Sequence, residues 1–162
     1  MSAQKIALAQ INPLLGDLAN NAQLIHQVAL EAFHQGAKLV VTPELSLTGY
    51  PPEDLLLRPA FIQAAQAQLD VLVQQLSQYQ DLTVIVGHPK QTSRGLQNYA
   101  SVLRNGEVIA GYAKQELPNH EVFDEVRYFV PGHEACVFDI DGSKVGLIIC
   151  EDAWHSGPAA QA

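Results

Sequence analysis

Apolar and polar positions along the first ninety residues follow two different periods. Residues 5–12, Lys5-Ile6-Ala7-Leu8-Ala9-Gln10-Ile11-Asn12, are short-period and apolar and predict a strand. From Leu18 the spacing lengthens. Leu18, Leu24, Ile25, Val28, Ala32 and Phe33 fall on one helical face, with Asp17 placed as N-cap and Gly36 as the stop. Residues 38–42 return to strand character and run into Thr42-Pro43-Glu44. A strand, a helix and a strand in this order form a β-α-β unit, so the first two strands belong to one sheet.

Thr48-Gly49-Tyr50-Pro51-Pro52 reads as a loop. A second helix is predicted over 59–79, opened by Pro59, with Ile62, Ala65, Leu69, Leu72, Val73 and Leu76 at helical spacing. Residues 83–87 form a third strand. Beyond it, Asn105-Gly106 and Asp141-Gly142 are two-residue turn signals that centre hairpins at 98–113 and 135–149. The expected architecture is α/β: a mixed sheet with helices on one face. The first strand is apolar on both sides, so the other face needs a layer as well, supplied by a second sheet or by a partner subunit. An uncovered sheet makes self-association as a homo-oligomer the expectation.

The chain has 162 residues, 48% of them hydrophobic, which fits one globular domain over 1–162. Its last residues, Ser156 to Ala162, offer nothing that would close a fold, so the domain reads as incomplete at its C-terminal end. Net charge is −8 with no Lys/Arg cluster, which argues against a nucleic-acid surface. No apolar run approaches the ~20 residues of a membrane span, and Met1 to Lys5 lead directly into the first strand with no signal peptide. Two cysteines without a secretory leader point to the cytoplasm. A regular ladder about Asp141-Gly142 sets Cys136 opposite Leu147 and turns Cys150 to the other face, which disfavours a disulfide. The six histidines show no ligand spacing with the cysteines, and no metal is implied.

Three residues beside apolar segments carry candidate chemistry. Cys150 ends the run Val145-Gly146-Leu147-Ile148-Ile149, Glu44 follows Leu39-Val40-Val41, and Lys114 follows Val108 to Ala113. Attack on an amide needs a nucleophile, a proton carrier and positive charge where the oxyanion develops, roles that a thiol, a carboxylate and an ammonium can fill. The Glu151 backbone N–H would add an oxyanion donor if the chain turns sharply after Cys150. Taken singly, each residue has a plainer reading: Cys150 as a small core residue, Glu44 as a strand-end charge, Lys114 as a solvated cation.

The flanking residues add information. Thr42-Pro43-Glu44-Leu45 and Leu147-Ile148-Ile149-Cys150-Glu151-Asp152-Ala153-Trp154, with a lysine between them, resemble the nitrilase or carbon-nitrogen hydrolase superfamily. The resemblance implies an α-β-β-α sandwich, here its N-terminal part only, and a triad of Glu44 as general base, Lys114 as oxyanion stabiliser and Cys150 as nucleophile. Two longer stretches, 47–56 and 114–129, are similar to the branch formed by the glutaminase domains of glutamine-dependent NAD synthetases. That likeness implies L-glutamine as substrate, with the ammonia passed on to amidate deamido-NAD. ATP and magnesium would belong to a synthetase domain outside this segment, and no cofactor is implied within it. Tyr50 would help bind substrate, and Glu125 would position Lys114 or the substrate amide. His120 stands where the branch often has Tyr, and packing is its expected role. A stand-alone amidase acting on another small amide, and a non-catalytic module, are the alternatives.

Overall fold

The computed structural model describes residues 4–162; Met1, Ser2 and Ala3, read above as the lead into the first strand, lie outside the described residues. The β-α-β opening is present as β1 (Ile6–Leu8), α1 (Leu18–His34) and β2 (Leu39–Val41). Asp17 caps α1, accepting from the Asn20 N–H, and Gly36 follows the helix with φ of +84°. The second helix, α2, spans Pro59–Leu76 with Pro59 in its first turn, and stops three residues short of the predicted end. Tyr79 instead packs against Phe33 of α1, ring centroids 5.5 Å apart.

β1, β2 and β3 (Thr83–Thr92) pair in parallel, and β3, β4 (Gly95–Arg104) and β5 (Glu107–Ala113) pair antiparallel, giving a five-stranded mixed sheet in chain order. β3 is twice its predicted length. It turns at Ser93-Arg94 directly into β4, and that hairpin has no Asn-Gly or Asp-Gly signal. The two signalled turns do form hairpins: Asn105 and Gly106 both have positive φ between β4 and β5, as do Asp141 and Gly142 between β6 (Val137–Ile140) and β7 (Ser143–Gly146). Cys136 lies opposite Leu147, whose N–H donates to the Cys136 carbonyl. Both cysteines are free, Cys136 buried and Cys150 exposed.

Three layers result. Ile25 and Ala29 of α1 and Leu69, Leu72 and Leu76 of α2 bury against Val40, Val84 and Val86 on one sheet face. Each fully buried aliphatic side chain there contributes about 1.5–3 kcal/mol. On the opposite face Phe138 and Ile140 of β6, with Leu147 and Ile149, cover Leu39, Ile85, Val102 and Tyr112. The second layer is therefore a second sheet, as a nitrilase-like sandwich requires. It covers β2 to β5 and leaves β1 open. The predicted strand over 5–12 shortens to three residues because only those pair with β2, and the outward Leu8 stays 73% exposed.

His88 of β3 is fully buried, its Nδ1 3.0 Å from the Pro89 carbonyl and its Nε2 2.8 Å from the Ser101 hydroxyl. Burial lowers its pKa to about 4, with the Pro89 carbonyl and Asp70 acting the other way and Lys90 adding to the depression. An unfolded histidine titrates near 6.5, so the unfolded chain binds the proton first. Stability is expected to fall by about 3 kcal/mol as pH drops from about 6.5 to about 4. Urea denaturation across that window checks this, and His88→Gln should flatten the dependence.

Candidate active site

Glu44, Lys114 and Cys150 each lie within a few residues of the end of a strand, where the chain leaves the sheet. Glu44 follows β2, and the next residue, Leu45, is buried with φ of +50°. A bulky residue in this left-handed region costs roughly 1–3 kcal/mol and persists only where its surroundings enforce it. Here the enforcement comes from Thr42, whose hydroxyl lies 2.7 Å from that of Ser46 and donates to the Ile85 carbonyl, and from Gly87 beneath the turn. A Cβ on Gly87 would come within 2.6 Å of Leu45 N and 2.7 Å of the Pro43 carbonyl. Gly87→Ala is expected to displace the Glu44 turn and cost about 1–3 kcal/mol in thermal denaturation.

Lys114 follows β5 and is 1% exposed, so it is no solvated cation. Its Nζ donates to Glu44 Oε1 at 2.8 Å and to Glu125 Oε1 at 2.7 Å. Glu125 opens a short 3-10 turn, Glu125–Arg127, and is itself buried. Burial works against the ammonium, but the charge of Glu44 and the hydrogen bonds of both carboxylates outweigh it and raise the Lys114 pKa. The lysine is charged at neutral pH. Burial also raises the Glu125 pKa, opposed by Lys114 and reinforced by Glu44. Asn98 of β4, a residue that sequence reading missed, donates to Glu44 Oε1 at 2.7 Å. Glu125 Oε2 and Asn98 Oδ1 are buried without a donor among the described residues.

Cys150 begins a 3-10 helix, Cys150–Trp154, with φ of +47°. That backbone turns the thiol out of the core, and Cys150 is exposed rather than packed as a small core residue. Although the residue as a whole is exposed, partial desolvation of its sulfur raises the thiol pKa, Glu44 raises it further, and Lys114 opposes both. Glu151 stands in the first turn of this helix, where backbone N–H groups lack a partner within the helix. Its side chain meets His155 Nε2 at 3.2 Å on the surface. His120 is exposed and packs edge-on against Phe123, ring centroids 5.9 Å apart.

Two cavities flank this group. A cleft of about 320 Å³ is lined by Tyr50, Pro52, Phe123, Glu125 and Phe129 among others. A smaller one of about 140 Å³, between the sheets, is lined by Glu44, Asn98, Tyr99 and Cys150. Tyr50 is partly exposed, and burial, then Glu44, Glu125 and Cys150, raise its pKa, so its hydroxyl keeps its proton. Among the described residues no cluster of three His, Cys, Asp or Glu side chains could hold a metal ion, and no helix is long and apolar enough to cross a membrane.

Residues 5–160 match the carbon-nitrogen hydrolase family, and the chain belongs to that family. Within it the chain is 46% identical, over 162 residues, to the glutamine-dependent NAD(+) synthetase of Acinetobacter baylyi, covering 99% of this chain and 29% of that protein. The glutamine-dependent NAD+ synthetase of Acinetobacter baumannii, solved in complex with ADP, superimposes with a TM-score of 0.87 at 40% identity, over 96% of this chain and 29% of that one. An amidase from Nesterenkonia sp. AN1, solved as a mutant showing the result of Michael addition of acrylamide at its active site cysteine, gives a TM-score of 0.78 at 27% identity over 93% of this chain and 58% of its own. The chain thus spans under a third of the length of the curated synthetases it matches.

Proposed function

We propose that this chain is the glutamine-hydrolysing part of a glutamine-dependent NAD synthetase. One observation carries the reading: a buried ammonium, Lys114, clamped between two carboxylates beside an outward-turned thiol. The raised Cys150 pKa means a neutral thiol at rest, so attack needs a base in the same step. Glu44 takes the Sγ proton as sulfur bonds to the side-chain carbonyl carbon of glutamine. The oxygen gains negative charge, which the Lys114 ammonium and the Glu151 N–H hold. Glu44 returns the proton to nitrogen, the C–N bond breaks and ammonia leaves a γ-glutamyl thioester. Water, deprotonated by Glu44, then releases glutamate and restores the thiol. Glu125 Oε2, lacking a donor, supplies an acceptor for the substrate amide N–H, and Tyr50 lines the cleft that receives the rest of the molecule.

The ammonia would serve an ATP- and magnesium-dependent amidation of deamido-NAD carried out elsewhere, in the cytoplasm, by an enzyme that self-associates. The likeness to the Nesterenkonia amidase supports a second reading, a general small-amide hydrolase. Turnover of L-glutamine against simple aliphatic amides and other ω-amides separates the two. The synthetase reading expects glutamine to be preferred, with glutamate and ammonia released in equal amounts. A clear preference for aliphatic amides would replace it with the second.

A further inference from the structure

Asp152, two residues beyond Cys150, is fully buried, and every hydrogen bond of its carboxylate runs to the backbone or side chain of residues bracketing the site. Oδ2 accepts from the N–H of Ile149, immediately before Cys150, at 3.0 Å, and from the Tyr112 hydroxyl at 2.8 Å. Oδ1 accepts from the N–H groups of Gln115 at 3.1 Å and Glu116 at 2.8 Å. Tyr112, Gln115 and Glu116 stand on both sides of Lys114. A single carboxylate therefore ties the elbow that presents the thiol to the strand end that presents the ammonium, across the gap between the two sheets.

We infer that Asp152 is a positioning residue that fixes the Cys150 thiol and the Lys114 ammonium relative to one another; this rests on the reading of those two groups as reaction partners. Four donors converge on its two oxygens, a demand that no amide side chain meets. An asparagine of the same size would keep one acceptor and turn its NH2 either on the Gln115 and Glu116 N–H groups or on the Ile149 N–H, releasing one side of the bridge. The left-handed backbone at Cys150 would then lose the Ile149 anchor or the site would lose its tie to Lys114. The Tyr112 hydroxyl, kept protonated by burial and by its bond to Asp152, is a donor throughout the neutral range.

The test uses Asp152→Asn and Tyr112→Phe in the full-length protein, each checked for fold by circular dichroism. Two readouts are taken: kcat and KM for glutamine, and the pH profile of Cys150 alkylation by iodoacetamide. In wild type, burial, then Glu44 and, less, Glu125 hold the thiol midpoint above that of a small free thiol, Lys114 opposes them, and the Tyr50 hydroxyl, kept protonated, stands in the same group. Folded Asp152→Asn should lose about a hundredfold in kcat, the scale of an ångström-level misplacement, with KM changed little. Its alkylation midpoint should move toward that of a free thiol. Tyr112→Phe, which removes one of the four donors, should lose about tenfold in kcat and shift the midpoint in the same direction.

A folded Asp152→Asn protein with wild-type kcat and midpoint overturns the inference. So does a variant whose activity falls only in proportion to its unfolded fraction. Should Asp152→Asn not fold, Tyr112→Phe decides, and wild-type values in both readouts overturn the inference. Should glutamine turnover prove independent of Cys150, the catalytic reading falls separately. The alkylation midpoint then still decides whether Asp152 holds the thiol in place.

Discussion

Cys150→Ala is expected to reduce glutamate release from glutamine by about 10⁴-fold or more while leaving the fold intact. The substitution removes only the sulfur, and the methyl that replaces it sits at an exposed elbow, so stability should stay within about 0.5 kcal/mol of wild type. Loss of activity without loss of stability separates chemistry from folding. Glu44, Lys114 and Glu125 keep their mutual bonds in the variant, since none of the three hydrogen bonds among them and Asn98 involves the thiol. Glutamine should therefore still bind, measurable by calorimetry, without being turned over. Serine at this position should rescue little, because an alkyl hydroxyl is a far weaker acid than a thiol and the same carboxylate must deprotonate it. Glutamate release at the wild-type rate from the alanine variant would remove Cys150 from the mechanism.

Lys114→Met should be the most damaging single change to stability, at about 3–5 kcal/mol. Methionine fills the space of the lysine stem but leaves Glu44 and Glu125 facing one another without a counter-charge, Glu125 buried and Glu44 partly so. In wild type, burial already raises the Glu125 pKa against the opposing ammonium. Without that ammonium it rises further. A carboxyl whose folded pKa lies above its unfolded value contributes stability at low pH and loses it as pH rises through the folded pKa. The variant should thus be relatively more stable near pH 5 than near pH 8, and urea titrations at both values test this. In the wild type Lys114 acts in the opposite range. Its folded pKa lies above its ordinary value, so its contribution is complete through neutral pH and is lost only in strong alkali. Adding Glu125→Gln to Lys114→Met should restore part of the stability, because one of the two facing charges is gone.

Much of this architecture was legible from periodicity. The two helices announced themselves by spacing and by Asp17 and Pro59, and both Xaa-Gly hairpins by turn chemistry, because local physics decides those features. The β3–β4 hairpin did not, since Thr92-Ser93-Arg94-Gly95 satisfies its turn by Thr92 side-chain bonds, the hydroxyl donating to the Gly95 carbonyl and accepting from Arg94, rather than by a left-handed Asn-Gly pair. Glu44, Lys114 and Cys150 could be named from their flanks, but the meeting of Lys114 with Glu44 joins positions 70 residues apart and only the folded chain fixes its geometry. Asn98 and Asp152 escaped notice for the same reason. In the linear chain Asp152 is half of an acidic pair after the cysteine, and nothing local distinguishes it from Glu151, which stays near the surface. Its signal is total burial of a carboxylate with four donors, a property of tertiary packing.

The second sheet also has a bearing on how the molecule acquires competence. The first sheet and its helices assemble largely from neighbouring pieces of chain, whereas the β6–β7 hairpin must dock across it before the elbow has anything to lean on. Pairings that close long loops are generally slow and come late. During refolding, helical signal and sheet signal should recover first and catalytic turnover last. Under mild denaturant the order reverses, with the docked hairpin opening and the candidate site coming apart while most of the secondary structure survives.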